Sequence, residues 1–316
     1  MGIISSIFGT SKPTEEQKFS TLRDDGVRAM QMNELAYAEK CFVAALDMND
    51  DLKTKGFLAE VYLRMNNNEK ALPLLRNLVE SNQTSLEIEL LLARTQGKLK
   101  MFEEEKRTCA NMMEKYQQDA RTLFLMAEAE HGLHDDFMAI AHLTQCLAIR
   151  ADYCQAQFLR AEILKGMGQW KEVLEDANLL VKADKENVDY MLLQAEALAI
   201  LGETDEAIEK YKEIQSLNPF CDEAILKLGA IYEQTSQWDK ALLLYNEAIE
   251  LRPDFAAAYK ARGGVKNHLK DVNGAAEDLK KSLILAPEKA KDYDGEYTNV
   301  ENEMNEHYKR LNPYAF

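Results

Sequence analysis

The sequence predicts an all-α protein built from one helical hairpin repeated along the chain, and three observations carry that prediction. Helix breakers are scarce, with 14 Gly and 6 Pro in 316 residues. Ala, Leu, Glu and Lys dominate, and these lose little side-chain freedom in a helix. A small residue then recurs as Gly26, Ala59, Ala93, Ala127, Ala161, Ala195, Gly229 and Gly263, one step of 33 followed by steps of 34. A second series, Ala38, Ala71, Glu105, Ala139, Val173, Ala207, Ala241 and Ala275, keeps the same steps, with Glu105 and Val173 as its departures. Two independent series on one period mean one structural unit repeated eight times.

The residue types fit a hairpin whose two helices cross closely, because interaxial distance depends on side-chain size at the crossing. Larger residues on the second helix, Phe42, Leu75, Leu143, Tyr211, Tyr245 and Leu279, are expected to fill the space between repeats. One hairpin cannot bury its apolar face alone, so neighbours must stack into a continuous core. Pro219, Pro253 and Pro287 follow the last three second helices, where proline stops a helix. Asp50, Gln83, Gln117, Ala151 and Lys185 hold that place in the first five. Repeat 3, with Glu89 and Glu105 at usually apolar or small positions, is expected to pack less tightly. Pro73 is expected in the first turn of its helix, where its missing N–H costs little.

The stretch from Asp222 to Phe255 carries Leu228, Gly229 and Tyr232, then Ala241, Tyr245, Ala248 and Pro253. That spacing resembles the tetratricopeptide repeat pattern. The resemblance implies a right-handed α-solenoid of about eight helix-turn-helix repeats, placed at residues 19–51, 52–85, 86–119, 120–153, 154–187, 188–221, 222–255 and 256–289. An N-terminal arm, residues 1–18, precedes them. Residues 290–316 follow, with Val300, Met304, Tyr308 and Leu311 on one face, as expected of a C-terminal capping helix and tail.

A net charge of −16 and the absence of a basic stripe argue against a nucleic-acid partner. Cys41, Cys109, Cys146, Cys154 and Cys221 form no CxxC pair and read as free thiols of a reducing compartment. With no membrane-length apolar run and no basic n-region at the N-terminus, the expected location is cytoplasmic. Met1 to Ser6 match the short myristoylation pattern at Gly2, which supplies the alternative of a membrane-associated assembly factor tethered through its arm. The apolar arm or the tail could instead fill a neighbour's groove, giving self-association.

In this family the first helices line the peptide groove on the concave side. Their fifth positions are apolar through the middle of the chain: Leu90, Phe124, Phe158, Leu192 and Leu226. Their ninth positions carry Glu60, Arg94, Glu128, Glu162 and Glu196. The expected site is therefore an apolar floor beside an acidic row, fitted to a protein or peptide segment with apolar anchors and neutral or basic flanks. The sixth-position leucines read equally well as core. The Lys and Asn set by which chaperone-binding members grip a carboxylate is missing, since Lys227 and Lys260 stand without asparagines.

The sequence holds no phosphate-binding glycine loop, HExxH helix or nucleophile elbow, so neither enzymatic activity nor a cofactor is expected. His131 and His134, followed by Asp135 and Asp136, suggest a metal only weakly, because the turn between two helices is polar in any case. Trp170 and Trp238 share one position in repeats 5 and 7 and read as packing. The function expected is a non-catalytic protein–protein interaction scaffold or adaptor.

Overall fold

The structure is a computed structural model, and it describes residues 14–81, 85–116 and 118–287. Among these residues there are sixteen α-helices and no strands. The helices are α1 (Glu15–Gln31), α2 (Leu35–Met48), α3 (Leu52–Arg64), α4 (Asn68–Glu80), α5 (Leu86–Lys98), α6 (Phe102–Lys115), α7 (Ala120–Gly132) and α8 (Asp136–Ile149). They continue as α9 (Cys154–Gly166), α10 (Trp170–Ala183), α11 (Val188–Leu201), α12 (Thr204–Leu217), α13 (Asp222–Gln234), α14 (Trp238–Leu251), α15 (Ala256–His268) and α16 (Val272–Leu285). The expected arm before residue 14, with Gly2, and the expected capping helix at 290–316 lie outside the described residues.

The chain forms two compact units, Met1–Ile163 and Leu164–Phe316. In the first, each helix from α1 to α8 packs against the next, and α5 also meets α7. In the second, the same holds from α10 to α16, with α11 against α13 and α13 against α15. Short polar side chains start many of the helices by satisfying their free amides. Thr14 and Gln17 exchange the two hydrogen bonds of a capping box at 3.2 and 3.0 Å. The Asp51 carboxylate accepts from the Thr54 amide at 2.8 Å.

Every hairpin turns in the same way. A residue in the left-handed region stands at Asn33, Asn66, Lys100, His134, Gly168, Gly202, Ser236 and Lys270, again on steps of 33 and then 34. The next residue donates its amide five positions back, from Glu34 to Ala29 at 2.8 Å through to Asp271 to Lys266 at 2.9 Å. This is the Schellman closure of a helix, which usually recruits glycine because a Cβ is strained there. Only two of the eight positions are glycine. Replacing Lys100 or His134 by glycine is expected to stabilise the fold, each by roughly 0.5–1 kcal/mol, and so to raise the urea midpoint. A loss of stability in either variant would overturn that account of the turns.

Both small-residue series are buried throughout, including Glu105 at 1% and Val173 at 0% exposure. Among the glycines of the first series Gly229 has the least room, since a Cβ would stand 2.0 Å from the Tyr245 hydroxyl. That hydroxyl donates to Glu233 at 2.8 Å. Phe42, Leu75, Leu143, Tyr211 and Tyr245 are fully buried, whereas Leu279 is half-buried.

In repeat 3 both unusual glutamates are accommodated inside the fold. Glu89 is buried and accepts from Lys115 at 3.0 Å and Tyr116 at 3.3 Å. Opposite Glu105 the chain has Gly97, where a Cβ would lie 2.5 Å from the Glu105 carboxylate. The large residue on α6 is thus matched by the smallest one on α5. Pro73 stands at the sixth position of α4, past the first turn where it was expected, and its exposed side chain faces solvent.

Candidate peptide-binding face

The expected site residues fall on the first helices, four residues apart within each helix and so on one face. Leu90 and Arg94 are on α5, Phe124 and Glu128 on α7, Phe158 and Glu162 on α9, Leu192 and Glu196 on α11, and Leu226 on α13. Phe124, Phe158, Leu192 and Leu226 are half-buried, each offering part of its side chain to solvent. Leu90 departs from the expected row. It is only 6% exposed and packs among Ala93, Met112, Leu125 and Met126, while its neighbour Leu91 is the exposed residue. One residue is 100° around a helix, and that rotation exchanges groove for core. Leu125 and Leu193, at sixth positions, are core as well.

In the first unit a cavity of about 700 Å³ opens beside this face. Arg94 and Lys98 from α5, Phe102 and Glu105 from α6, and Phe124 and Glu128 from α7 line most of it. Gln155 and Leu159 from α9 complete the wall. Three of the expected residues, Arg94, Phe124 and Glu128, are therefore gathered in one place. Phe124 is anchored from behind by Tyr153, with ring centroids 5.2 Å apart.

Glu105 gives this cavity its chemistry. Its side chain is almost wholly buried, and one carboxyl oxygen has no hydrogen-bond partner. Burial, assisted by the nearby charge of Glu128, pushes its pKa up to about 8. The Glu128 carboxyl is also raised by burial, against the pull of Arg94. Both acids are thus shifted towards the neutral form, because taking a carboxylate out of water is costly. The Cys109 pKa is raised by burial and by the charges of Glu105, Glu128 and Glu130, which favours the thiol over the thiolate.

A second cavity of about 870 Å³ lies on α3, α4 and α5, between Phe57, Leu63, Leu75, Leu78, Ile88 and Leu91. Gly56, at the fifth position of α3, is part of its lining, and a Cβ there would meet nothing within 4 Å. The groove predicted from leucine and phenylalanine positions missed it, although the glycine in that row was the available signal.

In the second unit the acidic row is answered from within. Glu196 accepts from Lys165 at 2.7 Å and from Lys227 at 2.5 Å, which ties α11 to its neighbours on this face. Burial pushes its pKa up, but the two lysines outweigh burial and hold it below the usual carboxylate range. Glu162 and Arg94 are exposed.

The histidine pair reads as turn architecture. His131 Nδ1 lies 2.6 Å from the Asp136 carboxylate at the start of α8, and His134 holds the left-handed position of the turn. Among the described residues no group of three His, Cys, Asp or Glu side chains is arranged to hold a metal ion. All five cysteines are free. Trp238 stacks on His268, with ring centroids 3.6 Å apart. Among the described residues no helix is long and apolar enough to cross a membrane.

A family model described as tetratricopeptide repeat matches residues 155–220 and 226–290. Among solved structures, the C-terminal part of a tetratricopeptide repeat-containing protein from Cytophaga hutchinsonii is similar, with a TM-score of 0.65 at 13% identity. The match covers 79% of this chain and 97% of that one. PilW, a widely conserved type IV pilus biogenesis factor, matches with a TM-score of 0.56 at 18% identity, over 67% of this chain and 99% of that one. At these identities the two likenesses speak for the fold alone. The periodic pairing of helices and the recurring Schellman turns are those of a tetratricopeptide-type helical array, and residues 155–220 and 226–290 match that family's model directly.

Proposed function

We propose that this protein is a non-catalytic scaffold or adaptor that holds a segment of another protein along the face of its first helices. The observation that carries this reading is the row of half-buried apolar residues, Phe124, Phe158, Leu192 and Leu226, each at the same position of its helix. Side chains that are anchored at the base and open at the tip present apolar area without the cost of ordering it on binding. Recurrence at one helix position extends that area along each unit, which suits an extended or helical segment better than a small molecule.

The test is direct. Immobilised wild-type protein and a Phe158→Glu/Leu226→Glu variant are exposed to native lysate, and retained proteins are identified and re-measured in pure form. Neither residue lines the 700 Å³ cavity. A partner that binds wild type should be weakened at least about tenfold by the variant, the scale of losing a central apolar contact. Leu179→Glu, at an exposed position of the second helix α10, serves as the control and should leave binding unchanged. Loss of the partner in the Leu179 variant with retention in the other would place binding on the second helices and end this reading.

A further inference from the structure

The Glu105 cavity is more specific than an apolar groove requires. A carboxyl group that is 1% exposed, with an oxygen lacking any partner, stands at the edge of a space large enough for a ligand group. Native interiors pair their buried polar atoms, and an unpaired one marks a place where something else completes the bonding. A second acid, Glu128, lines the same space, and the rings of Phe102 and Phe124 form part of its wall.

We infer that this cavity is a socket for an arginine side chain of the bound protein segment, whose guanidinium closes on the carboxylates of Glu105 and Glu128. The inference rests on the scaffold reading and names the chemistry of one anchor. Arginine is favoured over lysine for two reasons. Its planar fork can serve both carboxylates at once, and its face stacks on aromatic rings where an ammonium stays hydrated. A chain carrying −16 net charge also draws a basic segment towards itself.

The remaining charges decide how the socket behaves. From α5, Arg94 and Lys98 stand at the wall as its own counter-charges; from α7, Glu128 and His131 line it. His131 is occupied by Asp136, and Glu130 by Lys106 and His142. On α6 itself, Cys109 is the near titratable group. An arriving guanidinium stabilises the ionised form of Glu105, so its proton leaves to solvent as the cation enters. Binding therefore releases a proton and tightens as pH rises. Removing Arg94 removes a competitor for Glu128 and tightens it further.

The experiment uses the full chain and two probes, Nα-acetyl-arginine amide and the isosteric, uncharged Nα-acetyl-citrulline amide. Calorimetry is run at pH 6.5 and 8.5, and at one pH in buffers of different ionisation heat. The expected result is a preference for arginine of about tenfold at the higher pH, the size of a charge-assisted hydrogen bond to a buried acid. The preference should shrink at the lower pH, grow in Arg94→Gln and vanish in Glu105→Gln. Equal binding of the two probes, or a preference untouched by Glu105→Gln, would overturn the socket. Should Glu105→Gln fail to fold, the carboxyl carbon resonance of Glu105 in wild type decides, since an arginine-induced shift supports the socket and its absence ends it. The two readings fail separately. A partner lost in Phe158→Glu/Leu226→Glu without any arginine preference leaves the scaffold and removes the socket. An arginine preference with no effect of those two substitutions does the reverse.

Discussion

Asp278→Ala is expected to destabilise the second compact unit by roughly 3 kcal/mol, the scale of breaking a buried ion pair by removing one partner. Asp278 on α16 is 4% exposed, and Arg262 on α15 meets it through two hydrogen bonds of 2.7 and 2.6 Å. Lys266 joins at 2.9 Å. Without the carboxylate, two partly buried cations one turn apart on α15 lose the anion on α16 that they share. Burial pushes the Asp278 pKa up, but the hydrogen bonds from Arg262 and Lys266 outweigh it and hold it below the usual value. The sign follows. Between the depressed folded pKa and the ordinary unfolded one near 3.8, the unfolded chain binds the extra proton, so this contribution is complete at neutral pH and is lost as pH falls through that window.

The readout for that variant is built into the chain. Both tryptophans, Trp170 and Trp238, belong to the second unit, and Trp238 lies against His268 of α15. A urea titration followed by tryptophan emission should show an earlier midpoint in Asp278→Ala at pH 7, with the difference shrinking towards pH 3. An unchanged midpoint at pH 7 would mean that the last hairpin draws no stability from this cluster.

The period was the legible part of this protein. Steps of 33 and 34 in two residue series name the hairpin, because close helix crossings demand small side chains at fixed places. The turns were less legible, since six of the eight left-handed positions carry Asn, Lys, His or Ser and only two carry the glycine that would announce them. A repeated tertiary context overrides local preference there. His134 looked like half of a metal site for that reason; its position in the turn is sufficient explanation.

The candidate face departs from its sequence pattern at particular residues. Leu90 and Leu91 are adjacent leucines of equal hydropathy, and only the packing of α5 against α6 and α7 decides which one turns inward. Glu196 read as an open acid, yet its lysine partners lie 31 residues away in either direction, beyond any local pattern. Glu105 was recognisable as a departure from its series. Its meaning was hidden, because the compensating glycine, Gly97, sits on the other helix and outside the series of small residues.

Glu105→Gln is expected to change the pH dependence of the first unit, with the opposite sign to Asp278. Folded Glu105 keeps its proton up to about pH 8, while its unfolded counterpart gives it up near 4.5. Through that interval the unfolded chain binds fewer protons than the folded one, so stability is greatest at the acid end and declines as pH rises. Glu128 is shifted in the same direction and adds to the slope. Arg94, which draws Glu128 downwards, subtracts from it. Glutamine keeps the shape of the side chain and cannot ionise, so the variant should lose most of the decline and become the more stable form at pH 8. Hydrogen exchange of the amides in α5, α6 and α7, corrected for the intrinsic rate at each pH, isolates this unit from the tryptophan-bearing one. Wild type should open more readily at pH 8 than at pH 5.5, and Glu105→Gln should show little difference. An equal slope in the two proteins would mean that Glu105 is ionised in the fold, and that the cavity beside it is already satisfied.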